Sequence, residues 1–78
     1  MTVAEQEVLS AVYELADGRP VLVSYDKIAD RLGTTLTAVK SFSLLLKNRN
    51  FAIVTFEGVQ LTPTGLEQAK NEREVFTD

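Results

Sequence analysis

Between residues 24 and 50, cations and small hydroxyl side chains are gathered in one stretch: Lys27, Lys40, Lys47 and Arg49 with Thr35, Thr37 and Ser41. Groups of these types neutralise phosphates and exchange hydrogen bonds with base edges, which is the chemistry of duplex DNA recognition. Bond-breaking chemistry is poorly provided for, because the chain has no histidine and no cysteine. That removes the commonest general base, the commonest metal ligand, thiolate nucleophiles, disulfides and zinc fingers. Eleven acidic residues remain, but their spacing shows no clustered pair that a small core could shield for general-acid work. A protein that is not an enzyme, with no cofactor and no metal, is expected.

The formal charge of the chain is −3, yet its distribution is uneven. Residues 24–50 hold Lys27, Arg31, Lys40, Lys47 and Arg49 against Asp26 and Asp30, while both flanking segments are net acidic. Positive charge thus lies in the segment that would face a phosphate backbone. Seventy-eight residues form one small domain, residues 1–78, near the lower size at which a single core stabilises a fold. No apolar run reaches the roughly 20 residues that span a bilayer, and the N-terminal residues lack the basic and apolar regions of a signal peptide. A cytoplasmic location without membrane contact is expected.

The elements that must position these side chains follow from apolar period and capping residues. Val3 to Ala16 reads as an amphipathic helix with Val8, Leu9, Ala11, Val12, Leu15 and Ala16 as its apolar stripe and Glu5, Glu7 and Glu14 outside. Asp17-Gly18 stops it, and Val21-Leu22-Val23 is short enough for an edge strand. Ser24 caps a helix from Tyr25 to Leu32, which Gly33 ends by taking positive φ. Ala29 is small where the backbones of two steeply crossing helices approach. Thr35 caps a third helix carrying Val39, Phe42 and Leu46 inward and ending near Arg49, with Asn50 suited to a left-handed conformation. Phe51 to Phe56 and Val59 to Leu61 form a hairpin around a two-residue Glu57-Gly58 turn, and Thr62-Pro63 opens a last helix running to about Phe76.

Helix, strand, helix, helix, strand, strand, helix is the order of an α+β winged helix-turn-helix: a three-helix core, a short hairpin wing and a C-terminal helix. The runs Glu7 to Leu15, Ile28-Ala29-Asp30-Arg31-Leu32-Gly33 and Val59-Gln60-Leu61-Thr62-Pro63-Thr64-Gly65 resemble the N-terminal DNA-binding domain of the iron-dependent, diphtheria-toxin-repressor-like regulators. More loosely they resemble multiple-antibiotic-resistance-type regulators. The resemblance implies DNA binding and a homodimer joined through the first and last helices. Three departures stand out: no His or Cys for metal control, an acidic Glu57 in the wing, and an altered third helix. There Leu44 and Leu45 occupy positions that relatives fill with polar residues, and Ser43 falls on a usual core leucine.

Two functions are therefore expected in order. The first is a DNA-binding transcription regulator reading the major groove with the helix around 36–48: Thr35, Thr37, Lys40 and Ser41 reach bases or nearby phosphates, and Lys27, Lys47 and Arg49 set the docking. The second is a winged-helix protein-interaction module. Three successive leucines at 44–46 cannot all face inward when helical residues are 100° apart, so Leu44 and Leu45, with Tyr13, Val75 and Phe76, are its candidate partner contacts.

Overall fold

The computed structural model describes the backbone of residues 1–76 and side chains through residue 72. Seven elements follow in chain order: α1 (Val3–Leu15), β1 (Val23–Ser24), α2 (Tyr25–Leu32), α3 (Leu36–Asn48), β2 (Ala52–Val54), β3 (Gly58–Leu61) and α4 (Pro63–Phe76). The strands form one antiparallel sheet in the order β1-β3-β2. Val23 pairs with Val59, and Val54, Ile53 and Ala52 pair with Val59, Gln60 and Leu61.

Local side-chain chemistry sets most boundaries. Thr2 and Glu5 form a reciprocal capping box at the start of α1. Ser24 and Thr35 accept hydrogen bonds from the backbone N–H groups of Lys27 and Ala38. Gly33 ends α2 with φ 64°, and the turn to α3 is closed by Thr34 N–H on the Ala29 carbonyl at 3.0 Å. Asn50 takes φ 65°, the left-handed backbone expected of it. Thr62 caps α4 by accepting from Gly65 N–H at 3.0 Å, ahead of a proline whose missing donor is harmless at that place.

The helices enclose one core. Leu9 and Val12 of α1, Ile28 of α2, Val39 and Leu46 of α3, and Val59 and Leu61 of β3 are sealed from solvent. Each such aliphatic side chain contributes about 1.5–3 kcal/mol by leaving water. Ser43 lies fully buried among them and donates to the Val39 carbonyl at 2.7 Å. The hydroxyl is thereby satisfied within its own helix, so a polar residue stands at a core position without an orphaned donor.

Several expectations are corrected. Glu5 lies inside, only 3% exposed, because the capping box draws its carboxylate back over the helix start. Leu15 falls at the edge of the α1 stripe and is exposed. The first strand is Val23–Ser24 alone; Val21 and Leu22 precede it and are exposed. β2 is Ala52–Val54 rather than Phe51 to Phe56. Gly58 belongs to β3, and Phe56 and Glu57 form the tip: Thr55 N–H donates to the Gly58 carbonyl at 2.9 Å. The glycine is required by close packing and not by the turn, since a Cβ there would lie 2.1 Å from the Val23 carbonyl oxygen.

Candidate nucleic-acid interface

α3 turns Val39, Ser43 and Leu46 into the core. With 100° between successive residues, its outward line is then Thr37, Ser41, Leu44 and Asn48, at spacings of four, three and four, and all four are exposed. Lys40 and Lys47, also exposed, flank that line on one side two helical turns apart, roughly 10 Å along the axis. The sequence-derived set Thr37, Lys40, Ser41 and Lys47 therefore shares one surface. Asn48 belongs to the same line and was missed, although the i, i+4, i+7, i+11 spacing marks it.

The remaining expected residues have distinct surroundings. Lys27 is exposed in the first turn of α2. Thr35 spends an oxygen lone pair on the α3 cap. Arg49 ends α3, and its Nε donates to the Glu5 carboxylate at 3.0 Å, linking the end of α3 to the start of α1. Arg31 of α2 likewise pairs with Glu14 of α1. Two of the five cations in the basic segment thus face carboxylates of α1, and the positive surface rests mainly on Lys27, Lys40 and Lys47. These pairings join residues far apart in sequence, and no local pattern announces them.

Glu5 shows what the Arg49 pairing does. The Thr2 backbone N–H, with help from Arg49, holds its carboxyl below the ordinary glutamate value, while burial pushes the other way. A carboxyl with a depressed folded pKa stabilises the fold while ionised, and the stabilisation is lost as pH falls through that depressed value. Replacing Arg49 by Ala removes one of the groups that depress it. Acid unfolding followed by circular dichroism is then expected to begin at higher pH than in the wild type; an unchanged acid midpoint would show that the pair contributes nothing.

Tyr25 is a second residue the sequence did not flag. Its ring is buried directly after the Ser24 cap. Its hydroxyl donates to the Thr55 carbonyl at 2.5 Å, and the Lys40 ammonium sits 5.4 Å from the ring centroid. One side chain therefore fixes the base of the wing and a cation of α3 together. Burial pushes the Tyr25 phenol up, so it remains a hydrogen-bond donor at neutral pH. Beyond Thr55, Phe56 is almost fully exposed at the wing tip, beside Glu57. The wing offers an aromatic ring and a carboxylate, with no cation.

Leu44 and Leu45 are both exposed, at 50% and 42%. Tyr13 is half-buried, packed against the core with its ring by Gly18. The side chains of Val75 and Phe76 lie outside the described residues. Among the described residues there is no cluster of His, Cys, Asp or Glu suited to a metal ion, and no helix is long and apolar enough to cross a membrane.

No family model matches the sequence, and no curated protein matches it. Solved structures do. A candidate DNA-binding protein of Ralstonia eutropha JMP134 superposes with a TM-score of 0.79 at 24% identity, covering 92% of this chain and 96% of the other. A mutant of Staphylococcus aureus MepR gives 0.77 at 17% identity over 99% of this chain, which spans 59% of the MepR chain. AF1382 of Archaeoglobus fulgidus gives 0.75 at 18% identity, covering 95% and 84% respectively. The element order, the antiparallel sheet with its protruding hairpin and these superpositions agree: the chain has the winged helix-turn-helix fold.

Proposed function

We propose that this domain is a duplex DNA-binding transcription regulator, acting in the cytoplasm without metal control, that lays α3 in the major groove. The observation that carries the reading is the outward line Thr37, Ser41 and Asn48 with Lys40 and Lys47 beside it. Hydroxyl and amide groups can exchange hydrogen bonds with base edges, asparagine pairing best with adenine, while lysines engage phosphates and set the register. Lys27 adds docking charge from α2, and Thr35 and Arg49 stand at the two ends of α3, each already holding an internal partner. That the Ralstonia structure is described as a candidate DNA-binding protein supports the same reading.

A single domain with about three phosphate-contacting lysines binds weakly at physiological salt. A homodimer through α1 and α4 doubles the contacts and sets half-sites roughly 34 Å apart. The second reading, a protein-interaction module, is favoured by the exposed Phe56 beside Glu57 and by the exposed Leu45.

The test is an amide chemical-shift titration of the isotopically labelled domain with a mixed-sequence duplex at low salt. Shifts concentrated between residues 27 and 49 and fading as salt rises are expected. An unchanged spectrum at high duplex concentration would overturn the proposal in favour of protein binding.

A further inference from the structure

Leu44 is an apolar island on a polar face. It sits on the outward line of α3, half exposed, and its neighbours one turn away on either side are Lys40, Ser41, Lys47 and Asn48. Residues three and four apart are those a helical side chain touches on the surface, so Leu44 has no apolar neighbour within its own helix face. Leu45, turned 100° further round, lies one turn from Phe42, which packs partly into the core. The two leucines are therefore different: Leu45 borders the core, and Leu44 stands among groups that suit phosphates and base edges.

We infer that Leu44 reads a thymine by covering its 5-methyl group in the major groove, an assignment that rests on the DNA-binding reading above. The chemistry is specific. The only apolar group that base pairs present in that groove is the thymine methyl, and an aliphatic side chain discriminates for it by excluding water from both surfaces. Lys40 and Lys47, flanking Leu44 within one turn, supply the attraction for phosphates that brings it to the base edge. A protein partner would need a contiguous apolar patch, and the four polar neighbours of Leu44 interrupt one.

The experiment takes the full chain and selects bound duplexes from a random-sequence library at low salt. In the selected sequence, thymines are then replaced one at a time by deoxyuridine, which lacks only the methyl group. Wild-type affinity is expected to fall about fourfold at one position in the half-site, the effect of one buried methyl. Leu44→Ala is expected to bind the thymine and uracil duplexes equally while melting like the wild type, because the side chain is half exposed. Thr37 carries a methyl of its own, so Thr37→Ser is run in parallel and should keep the discrimination. Persistence of the thymine preference in Leu44→Ala, or uracil tolerance at every position in the wild type, would overturn the assignment while leaving DNA binding intact. Failure to select any duplex would overturn the DNA-binding reading itself, and this assignment with it.

Discussion

Replacing Gly65 by Ala is expected to destabilise the domain by several kcal/mol, on the order of 4, enough to leave a large unfolded population in a chain of this size. A Cβ at this position would lie 1.8 Å from the Phe51 carbonyl oxygen and 2.8 Å from its carbon. Both are backbone atoms and neither can rotate away. The Phe51 carbonyl already accepts from Thr62 N–H at 3.0 Å, and the Thr62 hydroxyl donates to the Asn50 carbonyl at 2.6 Å. Admitting a methyl group means parting the first turn of α4 from the segment joining α3 to β2, with loss of those bonds. Gly33→Ala is the control: its φ is 64°, but nothing lies within 4 Å of the added carbon, so only the left-handed backbone is penalised, by about 1–2 kcal/mol. Urea unfolding of the two variants should therefore separate them clearly. Equal destabilisation would mean that the α4 junction relaxes freely.

These glycines also mark where the sequence could be read and where it could not. Gly33, Ser24, Thr35, Asn50 and Thr62-Pro63 act on backbone groups within a few residues, so their roles were legible from local order alone. Gly58 and Gly65 are needed because distant backbone passes close to them, and only the folded chain shows which. The same division separates the cations. The sequence groups Lys40 with Thr37 and Ser41 as a reading set and Lys47 with the docking cations; the helical period of α3 puts all four on one exposed surface. Arg49 with Glu5, Arg31 with Glu14, and Tyr25 with Thr55 join positions far apart in the chain, and residue type gave no hint of them. The basic segment thus looked more available to a partner than it is. Glu5 combines the two: its capping box with Thr2 spans three residues and is a local pattern, whereas its pairing with Arg49 joins the chain across 44 positions.

The second large effect concerns the lysines. Sequence-independent attraction to DNA falls with salt in proportion to the phosphates a protein neutralises. Lys27, Lys40 and Lys47 together imply about three, so affinity should fall roughly 40-fold between 50 and 200 mM salt. Reversing two of them in Lys40→Glu/Lys47→Glu leaves one phosphate contact and adds two repulsive charges to the face of α3. Affinity at low salt is expected to drop on the order of 100-fold, and the remaining salt effect to shrink to about fourfold. Both side chains are exposed and neither forms an ion pair among the described residues, so the fold should survive the change. Loss of the Lys40 contact with the Tyr25 ring removes about 0.5–1 kcal/mol at an exposed site, too little to unfold the domain.

Fluorescence anisotropy of a labelled mixed-sequence duplex, titrated with the wild type and with this double variant across that salt range, tests DNA docking through α3 most directly. The account predicts wild-type affinity that falls roughly 40-fold across the range, and a variant that melts normally, binds on the order of 100-fold more weakly at low salt and loses only about fourfold across the same range. Equal affinities for the two proteins at every salt concentration would contradict it.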